Sequence, residues 1–148
     1  MREDLPVVLV LCDDNPTLPG LLAALRARAA LGPATYRLLL TNPVAHEVSL
    51  RADHHRGVEA VEYLLADWVP LLARVTGARV WASVSIRHDP REAVEELLLH
   101  DTVDEVIFSV AARPIAERLH LDLGHWLTRR GLPWVDAAAG VGSTLAPA

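Results

Sequence analysis

Residues 6–12 (PVVLVLC) are apolar at every position, and this run constrains the fold more than any other part of the sequence. A strand of this kind must be covered on both faces, as the central strands of parallel sheets are. Four similar runs follow, separated by helical patterns: Tyr36–Thr41, Arg79–Ile86, Glu105–Val110 and the neighbourhood of Trp134-Val135. This alternation predicts an α/β fold with one open, parallel, five-stranded sheet in the order 3-2-1-4-5 and helices on both faces.

Apolar spacing and stop signals predict the helices between these strands. The first has an apolar stripe at three- and four-residue steps and stops at Gly32-Pro33. The second carries a seam from Val58 to Val75, and Pro70 within it predicts a kink or two shorter helices. Asp89-Pro90-Arg91-Glu92 is typical of the cap and first turn of a third helix.

Two further helical pieces are expected between the fourth and fifth strands. Pro114 can open the first piece. Asp122 can cap the second, which turns Leu123, Trp126 and Leu127 inward and ends at Gly131. The small-residue tail after them, residues 138–148, is expected to be flexible.

Composition limits the class of protein. A chain of 148 residues predicts one domain, residues 1–148, with a core over about 5–137. No apolar run approaches the ~20 residues that span a bilayer, and the acidic start is unlike a secretion signal, so a cytoplasmic location without membrane contact is predicted. A net charge of −5 argues against nucleic-acid binding, and the single cysteine, Cys12, excludes an internal disulfide.

The predicted strand order changes direction between the first and fourth strands. Ligands of open α/β sheets bind beyond the carboxyl ends of the strands at such a switch point, here residues 12–15 and 109–113. Backbone that closely approaches a phosphate usually needs glycine. No glycine occurs between Gly77 and Gly124. The scaffold is therefore that of a nucleotide binder, whereas the loop that would hold the phosphate lacks the usual residues.

Several features together resemble the universal stress protein family, which has the adenine-nucleotide α-hydrolase-like (HUP) fold. They are the acidic Asp13 after the first strand, the long second helix, the Asp89-Pro90 helix entry and the segment Asp104–Ile107 that enters the fourth strand. The resemblance covers about residues 5–137. It implies a role in the stress response and a homodimer formed along the fifth strand.

Members of this family that bind ATP carry the pattern Gly-x2-Gly-x9-Gly-(Ser/Thr) after the fourth strand. The corresponding positions here are Ser109, Ala112, Asp122 and Leu123, so all three glycines and the hydroxyl are replaced. A carboxylate at Asp122 can cap its own helix and would repel a phosphate. The chain is therefore expected to be a divergent member without tight ATP binding and with no cofactor, the alternative being residual binding of ATP or AMP.

The resemblance and the predicted switch point together indicate which residues would form a nucleotide or small-anion pocket: Asp13, Thr41, Ser109 and Arg113. Asp13 would contact the ribose, base or a metal-linked group, unless it is solvated beside a turn at residues 14–15. Thr41 would recognise the base through its backbone, unless Thr41-Asn42-Pro43 is an ordinary strand-ending turn. Arg113 would meet an anion, unless it pairs with a nearby carboxylate.

The sequence indicates no catalytic or metal-binding residues. The seven histidines lack metal-ligand spacing, and none of the candidate nucleophiles lies in a Gly-x-Ser-x-Gly elbow. Those candidates are Cys12, Ser83, Ser85 and Ser109. A weak nucleotide hydrolase is the enzymatic alternative.

Trp134 is the candidate for a dimer interface. It lies on the fifth strand, which is predicted at a sheet edge where it could cover a second copy; alternatively it packs on its own helix. The function expected from the sequence is a non-enzymatic, dimeric module that binds an unknown protein partner. The alternative is a regulatory protein that binds an adenine nucleotide or small anion at the switch point.

Overall fold

A computed structural model describes residues 5–12, 18–41, 65–85, 90–109, 123–137 and 141–142. The strands are β1 (Val7–Cys12), β2 (Thr35–Leu40), β3 (Val80–Val84), β4 (Glu105–Ser109), β5 (Trp134–Asp136) and β6 (Val141–Gly142). The helices are α1 (Leu18–Ala30), α2 (65–76), α3 (Pro90–Leu98) and α4 (123–129). None of the helices within these ranges has the length and apolarity needed to cross a membrane.

The strands form one sheet in the order β3-β2-β1-β4-β5-β6. The first five are mutually parallel, which confirms the predicted α/β fold with the order 3-2-1-4-5. β1 lies at the centre between β2 and β4, and its residues Val8–Cys12 are fully buried. The switch point therefore lies between β1 and β4, as the sequence predicts.

The sixth strand corrects one expectation. β6 pairs antiparallel with β5, with Val135 opposite Gly142 and Asp136 opposite Val141. The prediction that the fifth strand lies at the sheet edge is therefore wrong, whereas the flexible tail over residues 138–148 stays a prediction. A two-residue strand held by backbone hydrogen bonds has no side-chain periodicity, so small-residue composition concealed it.

Two apolar layers hold the helices against the sheet. On one face, α1 and α2 cover even-numbered residues of β1 and β2; on the other, α3 and α4 cover odd-numbered ones. The largest fully buried side chains of the first layer include Tyr36, Leu38, Leu21, Leu25 and Leu72, and those of the second include Phe108, Leu9, Leu11 and Leu127.

The helix signals behave largely as predicted. Pro90 is the first residue of α3, and left-handed glycines follow α1, α2 and α4 at Gly32 (φ 142°), Gly77 (φ 68°) and Gly131 (φ 75°). Residues 65–76 form one continuous helix, so Pro70 does not divide α2 there. The predicted beginning of α2 near Val58, the Asp89 and Asp122 caps and the helix at Pro114 lie outside the described residues.

A polar cluster interrupts the first apolar layer near the amino ends of the strands. The Nε of Arg28 on α1 donates to Oε1 of Glu105 on β4 at 2.7 Å, and its Nη1 donates to the Gly32 carbonyl at 3.2 Å. The nearby Tyr36 hydroxyl is buried without a hydrogen-bond partner. Burial raises the pKa of Tyr36. Two smaller contributions oppose each other, because the charge of Arg28 lowers this pKa and that of Glu105 raises it.

We expect Tyr36→Phe to raise the free energy of unfolding by about 1 kcal/mol at pH 7, because it removes a buried hydroxyl that lacks a partner. Since folding raises the phenol pKa, the unfolded chain ionises first, and Tyr36 lowers stability increasingly as the pH rises through about 10. The advantage of the variant should therefore grow in alkaline buffer. Urea unfolding at pH 7 and pH 10.5 measures both effects; a destabilised variant at pH 7 would mean that the hydroxyl is hydrogen-bonded.

Candidate functional site

The buried polar side chains gather at one end of the sheet. Within the described ranges there are four: Thr41, Ser85, Ser109 and Asp136. Thr41 and Ser85 directly follow β2 and β3, whereas Ser109 and Asp136 are the last residues of β4 and β5. All four therefore lie at the carboxyl end of the sheet, where open α/β sheets bind their ligands.

Two of the predicted pocket residues flank the end of β1. Ser109 is fully buried and lies in register with Cys12 on the neighbouring strand. On the other side of β1, the Thr41 backbone N–H donates to the Cys12 carbonyl at 2.9 Å, and the Thr41 hydroxyl donates to the same oxygen at 3.5 Å. The other two predicted residues, Asp13 and Arg113, lie outside the described residues.

The hydrogen bonds of Thr41 favour its role as a strand-ending residue. A base recognised through this backbone N–H would have to compete with the bond to Cys12. Likewise, the backbone N–H of Ser85 donates to the Leu40 carbonyl at 2.8 Å, and that of Ala137 to the Phe108 carbonyl at 2.8 Å. The sheet itself thus uses three backbone donors at the carboxyl end.

Leu123 is the residue that the expected resemblance aligns with the hydroxyl of the ATP-binding pattern. It is the first described residue of α4, is 2% exposed, and belongs to the same apolar cluster as Phe108 and Leu127. A side chain in this place packs in the core and offers nothing to a phosphate.

Trp134 packs within its own chain. Its ring stacks on Phe108, with centroids 5.6 Å apart, and its Nε1 donates to the Thr128 hydroxyl of α4 at 2.9 Å. A Cβ at Gly124 would lie 2.6 Å from Cζ2 of this ring, so the close approach of α4 to β5 requires glycine there. These contacts match the second alternative, in which Trp134 packs on its own helix.

The sequence does not predict that Ser85 and Asp136 belong to this site. It indicates Ser85 only as a possible nucleophile and does not single out Asp136. The signal available is positional, since each of the strands β2 to β5 is followed or ended by a small or acidic polar residue. That signal becomes specific only when the strand ends are known, because the run over Arg79–Ile86 was predicted longer than β3.

The opposite end of the sheet carries a separate cavity of about 310 Å³. It lies between the turn that follows α1 and the turn that follows α2, with Arg79 and Trp81 at its border. The Arg79 guanidinium lies 5.6 Å from the centroid of the Trp81 ring, an exposed cation–π contact. Because the cavity lies at the amino ends of the strands, it is separate from the switch point.

Comparisons with protein-family models, with curated proteins and with solved structures gave no match for this chain.

Proposed function

We propose that this chain is a non-enzymatic module with universal-stress-protein-like architecture that acts through protein contacts as a homodimer and does not bind ATP tightly. The observation that carries the proposal is the burial of Leu123 beside Phe108, at the position where ATP-binding members of that family have a hydroxyl. A cytoplasmic location and a role in the stress response belong to the same proposal. The sequence has one cysteine, the buried Cys12, and therefore no internal disulfide, which suits a reducing compartment.

An acidic side chain at the carboxyl end of the sheet also supports this proposal. Asp136 is buried at the end of β5 and lies in register with Phe108, one residue before Ser109. The side-chain oxygens of an acid near the expected phosphate position do not supply the backbone N–H donors that hold a phosphate. A nucleotide would therefore meet both a missing hydroxyl and an acidic side chain.

Exposed apolar side chains support the protein-contact part of the proposal. Trp81 and Val84 on β3 are 48% and 38% exposed, although strands of doubly wound sheets are normally covered on both faces. Trp81 and Val84 point to opposite faces of β3, so neither face of this strand is fully covered, and aromatic side chains are enriched at surfaces that bind another chain. Among the described strands, β3 is thus an outer strand with exposed apolar side chains.

We expect thermal unfolding to be unchanged by millimolar ATP, ADP, AMP, cyclic nucleotides or inorganic phosphate, with or without Mg²⁺. A ligand at a hundredfold excess over its Kd would add about 2.7 kcal/mol, which raises the Tm by roughly 5–10 °C for a domain of this size. A shift of that size with an adenine nucleotide would overturn the proposal. Sedimentation velocity on the same samples measures the dimer.

A second candidate function is binding of an adenine nucleotide or small anion at the switch point. The observation that favours it is the concentration of all four buried polar side chains of the described residues at the carboxyl end of the sheet. If any ligand of the panel raises the Tm, Ser109→Ala should reduce that shift. Thr102→Ala is the control and should leave the shift unchanged, because Thr102 is exposed before β4 at the opposite end of the sheet.

A further inference from the structure

β3 is the outermost described strand on its side of the sheet. It pairs with β2 alone among the described strands, from Tyr36–Val80 through Leu40–Val84. Three of its five residues are exposed, Trp81, Ala82 and Val84. An exposed strand with unpaired backbone groups can be extended by a strand from another chain.

The hydrogen-bond pattern shows which residues of β3 face outward. The N–H of Ser85 donates to the Leu40 carbonyl, so Ser85 directs its backbone groups toward β2. Because the N–H and C=O groups of successive residues point to alternate sides of a strand, those of Trp81 and Ser83 also point toward β2. The N–H and C=O groups of Val80, Ala82 and Val84 point to the outer side, where an added strand would bind them.

The outward-pointing backbone groups of Val80, Ala82 and Val84 can pair with the same groups of a second copy that runs antiparallel. With Ala82 opposite Ala82 of a second copy, Val80 lies opposite Val84 and Val84 opposite Val80, which gives about six backbone hydrogen bonds. The same register places the large Trp81 opposite the small Ser83 on one face of the sheet. A twofold axis through Ala82 thus gives every outward backbone group of Val80, Ala82 and Val84 a hydrogen-bond partner and places a large side chain opposite a small one.

Charge favours the same arrangement. The segment 80–85 (VWASVS) contains no charged residue and no proline, and so lacks the devices that usually block pairing at an outer strand. The nearest charges are Arg79 before the segment and Arg87 after it. Parallel in-register pairing would place each arginine directly opposite its own copy, whereas antiparallel pairing centred on Ala82 separates the two Arg79 residues by six residue steps, about 20 Å, and offsets Arg79 from Arg87 of the other copy by two residues.

We infer that the partner of β3 is the β3 strand of a second copy, paired antiparallel about Ala82 to give one sheet that continues through both protomers. This inference rests on the dimer of the proposed function and locates it. It replaces the β5 interface expected from the sequence, since β6 covers the outer side of β5. An isologous contact of this kind closes as a dimer.

Substitution at the twofold axis tests the interface. Ala82→Lys places two like charges directly opposite each other and should weaken the dimer by roughly 100-fold in sedimentation velocity over a concentration series. Leu99→Lys is the matched control: Leu99 is 77% exposed just after α3, and the variant should dimerise like the unmodified protein. Far-UV circular dichroism checks that both variants are folded.

A cross-linking experiment tests the register without adding charge. Ala82→Cys should be joined across the dimer by a short bis-maleimide, because the two residues face each other. Arg79→Cys should not be joined, since its two copies are about 20 Å apart. The natural Cys12 is fully buried and therefore protected from the reagent.

The outcomes separate this inference from the function on which it rests. A dimer that is lost in Ala82→Lys and cross-linked through Ala82→Cys supports both. A dimer that is unaffected by Ala82→Lys and not cross-linked overturns the β3 interface and leaves the dimeric module standing. A protein that remains monomeric at every concentration overturns both.

Discussion

Leu123→Ser is expected to lower the free energy of unfolding by about 4 kcal/mol and to create no nucleotide binding. Leu123 lies in the apolar cluster that joins α4 to the sheet. Removing most of a buried leucine side chain costs about 2–5 kcal/mol, and a buried serine hydroxyl without a partner adds about 1–3 kcal/mol. The variant introduces the residue type of the ATP-binding pattern, yet its measurable effect should be a lower free energy of unfolding caused by lost core packing.

Urea unfolding of the variant measures this loss, and the nucleotide panel tests for binding. Leu99→Ser is the control, because the same change at an exposed site should alter stability by less than about 0.5 kcal/mol. A nearly neutral Leu123→Ser would contradict the assignment of Leu123 to the core. An ATP-dependent rise in Tm that appears only in Leu123→Ser would show that this leucine alone prevents binding, and would redirect the functional proposal.

The central part of the fold follows from the sequence because its signals are local and strong. The apolar run at residues 6–12 demands burial on both faces, and β1 lies between two parallel neighbours with Val8–Cys12 fully buried. The proline at the start of α3 and the glycines after α1, α2 and α4 act on the backbone directly. Their effect needs no knowledge of the tertiary structure.

The features that sequence reasoning missed depend on tertiary contacts or on very short elements. β6 is only two residues long and is defined by its pairing with β5. The packing of Trp134 depends on the absence of a side chain at Gly124, ten positions earlier. The exposure of Trp81 could not be foreseen, because a tryptophan in an apolar strand is more often buried by a covering helix.

The candidate site was predicted in its location and only partly in its composition. Strand order alone places the switch point, and this brings Ser109 and Thr41 to either side of β1. Asp136 joins the site because β5 ends within one residue of the end of β4, which is a matter of register. Register is set by packing along the whole strand, and a three-residue strand carries too little pattern to reveal it.

Arg28→Met is expected to lower the free energy of unfolding by about 3 kcal/mol. The Arg28 side chain is 11% exposed and that of Glu105 is 29% exposed, so removal of the cation leaves a largely buried carboxylate without its partner. The loss of the hydrogen bond to the Gly32 carbonyl and of a positive charge in the last turn of α1 adds to the effect. Chemical unfolding at pH 7 measures the change.

A double-mutant cycle separates the ion pair from these other losses. Arg28→Met combined with Glu105→Leu should be more stable than Arg28→Met alone, because no unpaired charge then remains, and the coupling energy should be about 2 kcal/mol. Arg28→Lys keeps the charge but loses the fork that reaches both Glu105 and Gly32, so it should fall between the parent and Arg28→Met. A coupling energy below about 0.5 kcal/mol would place the pair among solvent-screened surface ion pairs and would contradict its role in joining α1 to β4.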